Sequence, residues 1–288
     1  MYKYEKKNLA KSTVEIFLTL PKADIEKQYI KSFDKLAAEL TAPGFRPGKA
    51  PKNIAEKQIG KEAVYQELIK SLLPEIYSDL VKKEGLKPIV NPKIELLKAK
   101  EGEDWEIKIT VAEKPVIDLT NYREIIKKVK AEQKKEDIWV PGKSEKKPEK
   151  NEENKQKLLN ELLSGLLKGL KIEIPELIVE EELNSRLARL LDDIQKIGLT
   201  VDAYFKSKGT TLDETKKRYS TEIEDTYKIE FILSEIADKE GIKVEQADLD
   251  KLFNNISDEK EKNQAKQNAY FYASILRKQK ALDLILGL

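Results

Sequence analysis

Residues 127–157, KKVKAEQKKEDIWVPGKSEKKPEKNEENKQK, hold 18 charged side chains in 31 positions, with Pro141, Gly142 and Pro148 among the rest. So few apolar groups cannot bury enough surface to offset the entropy of ordering the backbone. The stretch therefore reads as a connection, and whatever folds must fold on either side of it. We assign residues 1–115 to a first domain, 116–157 to a charged linker and 158–288 to a second domain. A length of 288 residues accommodates two domains on the usual scale. Within the linker, Ile138 to Gly142 (IWVPG) stands out as an apolar island that could dock elsewhere.

Before the linker the pattern is mixed. Val14, Ile16, Leu18 and Leu20 alternate through STVEIFLTLP, the period-two mark of a half-buried strand. Ile25, Tyr29, Phe33, Leu36 and Leu40 then recur at helical spacing over about 23–40. Pro51 is placed to open a short helix that ends at Gly60. A longer helix follows over about 62–84, with its apolar stripe on Val64, Leu68, Leu72, Ile76 and Leu80, a bend expected at Pro74 and a stop at Gly85. Ile94 and Leu96 on one arm, and Trp105, Ile107, Ile109 and Val111 on the other, predict a hairpin turning near 101–104. One strand, helices and a closing hairpin make an α+β domain with its helices on one face of the sheet.

After the linker the pattern is helical throughout. Leu158, Leu159, Leu162, Leu163, Leu166, Leu167 and Leu170 mark one helix; Val179, Leu183, Leu187, Leu190, Leu191 and Ile194 mark the next, opened by Pro175. A short helix near 201–206, a long one over 212–239, one after EGIKV and a last one over 263–286 complete an all-α domain of five or six helices. The last helix carries more apolar residues than one face needs. Tyr270, Phe271, Tyr272, Ile275 and Leu276 cluster at its start, which means either core or an exposed binding patch, core being the commoner case.

Composition excludes much of catalysis. The chain has no cysteine and no histidine, which removes disulfides, thiolate and histidine-activated nucleophiles, and nearly every zinc site. No acidic group has calcium-loop spacing, so no metal or cofactor is expected. No apolar run is long enough for a membrane span, and the N-terminus lacks the apolar stretch of a secretory signal, so a cytoplasmic protein with no membrane partner is expected. The net charge of +2 conceals a gradient: residues 1–114 carry 22 basic and 18 acidic side chains, residues 158–288 carry 20 and 25.

Between the first two helices lies TAPGFRPGKAP, a phenylalanine set among two glycines, three prolines and two cations. Glycine and proline specify turns, so this is an ordered loop presenting an aromatic and positive charge. A phosphate-binding loop does not fit, because the glycine spacing is one short and Ala50 replaces the required Ser or Thr. A plain connecting turn with Phe45 in the core would leave the glycines and cations without a role.

The eight residues GFRPGKAP resemble the ribosome-binding signature of the trigger factor family of bacterial chaperones, Gly-Phe-Arg-x-Gly-Lys-x-Pro. Gly44, Phe45, Arg46, Gly48, Lys49 and Pro51 all match it. AEKPVIDL and the stretch LTVDAYFKSKGTTLDETKKRYSTEIEDTYKIEFILSEIADKEGIKVEQADLD are similar to that family as well. The resemblance implies a cytoplasmic chaperone that docks on the large ribosomal subunit at the tunnel exit and binds unfolded nascent polypeptides, assisting folding and export. Phe45 would enter an apolar pocket, Arg46 would pair with a carboxylate, and Lys49 would face ribosomal RNA phosphates. Tyr270, Phe271, Tyr272, Ile275 and Leu276 are the candidate client-binding residues. The alternative is a ribosome-independent holdase or export chaperone related to periplasmic folding factors, and a homodimer off the ribosome stays open.

Two departures from the family carry expectations of their own. Family members usually insert a prolyl-isomerase domain of the FK506-binding type, for which residues 115–157 are too short and too charged, so no isomerase activity is expected. Pro47 stands where the family often has a third cationic or polar residue, which trades one charge for a stiffer turn.

Overall fold

The computed structural model describes residues 2–136, 148–256 and 258–288, and divides into two compact units, Met1–Lys114 and Pro115–Leu288. The first unit is a four-stranded antiparallel sheet in the order β1-β2-β4-β3. Its strands are β1 (Lys3–Leu9), β2 (Thr13–Leu20), β3 (Lys93–Lys98) and β4 (Trp105–Ala112). Helices α1 (Lys22–Glu39) and α2 (Lys52–Glu84) lie between β2 and β3 in sequence. The alternation in β2 and β4 puts Val14, Ile16, Leu18, Leu20, Trp105, Ile107, Ile109 and Val111 in one core with Leu68, Ile76 and Leu80 of α2. Register is held by pairs such as Ile16 with Ile109 and Leu18 with Ile107. A one-residue slip would turn all of these outward.

Strand β1 was not legible in the sequence. KYEKKNL has no apolar alternation, and its connection to β2 uses Lys11 and Ser12 at φ of 57° and 49° in place of a glycine or asparagine. Tyrosines secure this lysine-rich edge instead: the Tyr2 hydroxyl donates to Asp79 and the Tyr4 hydroxyl donates to Glu84, both near the end of α2. The charged edge also discourages pairing with another chain.

Helix α2 breaks at Gly60, whose φ of 71° and ψ of 153° are not helical, so its two arms match the short and long helices expected from the sequence. Pro74 stands inside the second arm, where the backbone dihedrals stay helical on both sides of it. Gly85, at φ 62°, ends the helix in a left-handed cap whose N–H donates to the Val81 carbonyl.

The second unit corrects the expected linker at both ends. Helix α3 spans Tyr122–Glu136 and helix α4 spans Pro148–Gly169, so both invade the 116–157 stretch. Charge counting hid a short apolar stripe: Ile126 and Leu162 are fully buried, and Gly165 and Gly169 admit Val129 and Ile125 where side chains would collide. A Cβ on Gly165 would lie 2.6 Å from Val129 Cγ2. Ile138 to Gly142 lies outside the described residues. The remaining helices are α5 (Glu176–Lys196), α6 (Val201–Lys208), α7 (Leu212–Lys239), α8 (Gln246–Asn254), α9 (Glu259–Gln267) and α10 (Ala269–Gly287). From α4 onward that makes seven helices among the described residues, against five or six expected, because the last helix divides at Asn268. Thr211 and Glu214 form a reciprocal capping box at the start of α7.

One polar cluster ties the start of this unit to the end of α7. The Tyr122 hydroxyl donates to Glu240 Oε1 at 2.6 Å, and Arg123 Nη2 donates to both Glu240 oxygens at 2.8 and 2.7 Å. Lys239 lies 5.4 Å from the centre of the Tyr122 ring and donates to the Leu119 carbonyl. The Tyr122 hydroxyl and then the Arg123 guanidinium hold the Glu240 carboxyl below the usual carboxylate range. A depressed folded-state pKa contributes stability above the unfolded pKa, about 4.3, and loses it as pH falls through the folded value. The melting temperature of the parent should therefore exceed that of Glu240→Gln at neutral pH, and the gap should close as pH drops below about 4. Parallel melts across pH check this; a gap independent of pH would contradict it.

Candidate docking loop and apolar patches

The chain leaves α1 at Leu40 and re-enters helix after Pro51, and the loop between is two turns in tandem. In the first, Phe45 N–H donates to the Ala42 carbonyl at 3.1 Å, with Pro43 and Gly44 at the centre and Gly44 at φ 83°. In the second, Lys49 N–H donates to the Arg46 carbonyl at 2.9 Å, with Pro47 and Gly48 at the centre and Gly48 at φ 73°. Proline followed by a glycine of positive φ is the type II arrangement, so each Pro-Gly pair specifies its own turn. Pro47 is thus the proline of the second turn.

Phe45 and Arg46 occupy the junction between the turns. Phe45 keeps 39% of its surface exposed, and Arg46, Lys49 and Pro51 are exposed as well. Neither Arg46 nor Lys49 is in an ion pair among the described residues. The structure therefore brings Gly44, Phe45, Arg46, Gly48, Lys49 and Pro51 into one ordered surface element. An apolar ring and two cations close together suit a partner that offers an apolar pocket beside negative charge.

At the foot of this loop a groove of about 370 Å³ opens between α1 and α2, lined by Tyr29, Ile30, Phe33, Lys52, Glu56 and Val64 among others. Lys52 Nζ stands 5.9 Å from the centre of the Phe33 ring. Sequence reasoning missed Ile30, which is more than half exposed; it falls off the Ile25, Tyr29, Phe33 stripe, and that offset was the available signal.

The candidate client residues separate into two groups. Tyr270 is 91% exposed, Phe271 60% and Ile275 45%. Tyr272 and Leu276 instead pack on a small core of Leu249, Phe253 and Ala265, with the Tyr272 and Phe253 rings edge to face at 5.6 Å. The reading of this cluster as core holds for the second group and fails for the first. A neighbouring cleft of about 340 Å³ is lined by Ser234, Ala237, Val244, Tyr270, Ala273 and Ser274, with Arg277 and Lys278 at its edge. Leu191, Ile197, Leu199 and Val201 form a further run of exposed apolar side chains around the α5–α6 turn, which sequence periodicity had assigned in part to a helix face. Among the described residues no group of acidic side chains could hold a metal ion, and no helix is long and apolar enough to cross a membrane.

An α+β unit presenting a cationic aromatic loop, joined in sequence to a helical unit with apolar side chains in solvent, defines a modular binding protein. Residues 2–139 match the family model described as bacterial trigger factor protein (TF), and residues 143–287 match that of the bacterial trigger factor protein (TF) C-terminus. The chain belongs to the trigger factor family. The two matches leave three residues between them. Trigger factor of Lactococcus lactis subsp. lactis (strain IL1403) is 32% identical over 134 residues, 46% of this chain and 31% of that protein. Trigger factor of Enterococcus faecalis (strain ATCC 700802 / V583) is 33% identical over 137 residues, 47% and 32% of the two chains. The matched part thus spans about a third of these relatives. A solved structure reported under promiscuous substrate recognition in folding and assembly activities of the trigger factor chaperone superposes with a TM-score of 0.56 at 16% identity, covering 98% of this chain and 99% of that one. At that identity the likeness is one of fold.

Proposed function

We propose that this chain is a chaperone that docks on the large ribosomal subunit through Phe45, Arg46 and Lys49 and holds unfolded nascent segments against exposed apolar side chains of its helical unit. It does so without an isomerase domain inserted between its two family segments. The observation that carries the reading is the loop itself: two Pro-Gly turns, each closed by a backbone hydrogen bond, hold a part-exposed aromatic and an unpaired cation side by side at the surface. Tyr270, Phe271 and Ile275 support the second half, since a chaperone needs apolar surface that no part of its own core covers. Many weak apolar contacts let varied segments bind and leave quickly. The cytoplasm is the expected compartment, as for a partner of ribosomes.

The test is co-sedimentation of the full chain with bacterial 70S ribosomes at low and moderate salt, beside an assay of how well the chain suppresses aggregation of a denatured protein. Binding that weakens with salt, together with suppression, supports the reading. Suppression without binding would leave a holdase that acts off the ribosome, and would overturn the docking half.

A further inference from the structure

The two loop glycines share a backbone conformation but not an environment. At Gly44 an added Cβ would meet nothing within 4 Å. At Gly48 it would lie 2.5 Å from the backbone oxygen of Ala38, and 3.3 and 3.4 Å from that residue's carbonyl carbon and Cα. Ala38 is in the last turn of α1, and backbone atoms there cannot swing aside as a side-chain tip can. The Gly48 N–H also donates to the Leu40 carbonyl at 3.0 Å, using one of the acceptors that a helix end leaves without an intrahelical partner. Ala42, between these points in the chain, is buried. The second turn is therefore seated on the end of α1, and the seat closes the loop from Leu40 to Gly48.

We infer that Gly48 is a positioning residue for ribosome docking: its contact with Ala38 and its hydrogen bond to Leu40 fix the segment that carries Phe45 and Arg46. This inference rests on the docking reading above. Holding the loop in one geometry before contact removes an ordering cost from binding, which is how preorganisation raises affinity. Pro47, at the preceding turn position, restricts the same segment through its fixed φ. Gly44 has no such seat, so an alanine there strains only its own φ.

The experiment compares full-length Gly44→Ala, Gly48→Ala and the Phe45→Ala, Arg46→Ala double variant with the parent, reading affinity for bacterial ribosomes and the melting temperature of each. Both glycine variants carry the φ strain and only Gly48→Ala adds the clash with Ala38, so affinities are compared at a temperature where the melts show every variant folded. We expect Gly48→Ala, still folded at the assay temperature though melting lower than Gly44→Ala, to lose tenfold or more in affinity, and Gly44→Ala to stay within about fivefold of the parent. Equal losses for the two glycines, or parent-like binding by Gly48→Ala, would overturn the positioning role while the double variant still reported on docking. Parent-like binding by the double variant would instead overturn the docking reading itself. Amide exchange in the parent supplies a check that needs no variant: the Gly48 N–H should be protected, and exchange at the rate of an open loop would sink the seat.

Discussion

Replacing Phe45 and Arg46 together with alanine should weaken ribosome binding by roughly three hundredfold or more while leaving the fold intact. The 39% of Phe45 still exposed is the part a ribosomal pocket can cover, about 80 Å² of a typical phenylalanine and about 2 kcal/mol at 25 cal/mol per Å². Arg46 is exposed and free of ion pairs among the described residues, so a carboxylate partner would add about 1.5–3 kcal/mol through a charge-assisted hydrogen bond. Micromolar binding requires about 8 kcal/mol in all, so these two side chains account for close to half of it. Both lie at the surface between two backbone-closed turns, and neither hydrogen bond of those turns uses their side chains. The melting temperature should shift by no more than a few degrees. Sedimentation of parent and variant with ribosomes, with thermal melts alongside, decides it: equal sedimentation would remove Phe45 and Arg46 from the interface.

The loop could be read in advance because its chemistry is local. Each Pro-Gly pair specifies a turn through its own two residues, and no distant contact is needed to know that Phe45 is set between them. The alternation in β2 and β4 was legible for a similar reason, since a two-residue period fixes which side of a strand is buried. What escaped the sequence depends on partners far along the chain. Strand β1 is held by Tyr2 and Tyr4 reaching Asp79 and Glu84, about eighty residues away, and nothing in KYEKKNL foretells them. Helix α3 is made worthwhile by Gly165 and Gly169, which allow close approach only once α4 lies beside it. Composition counted the charges of that stretch correctly and could not see the glycines that compensate for them.

The same distinction between local and distant information decides the apolar cluster at the start of α10, and it sets the second large expectation. Tyr272 and Leu276 have a core to join because α8 and α9 bring Leu249, Phe253 and Ala265 to them. Tyr270, Phe271 and Ile275 have none, and they remain in solvent beside the cleft between α7 and α10. Changing these three to serine should therefore leave stability within about 0.5 kcal/mol for each site, as for other exposed positions. Client holding should suffer much more. If a bound segment covers even half of each exposed side chain, each contributes on the order of 1 kcal/mol, and the triple variant should bind unfolded segments about a hundredfold more weakly. The measurement is affinity for a fluorescent, permanently unfolded polypeptide, with Tyr272→Ala as the contrasting variant, because that change should lower the melting temperature through the Phe253 contact. If the triple variant held its client as tightly as the parent, the work would have to be done elsewhere on the helical unit. The exposed run of Leu191, Ile197, Leu199 and Val201 at the α5–α6 turn would then be the surface to change next.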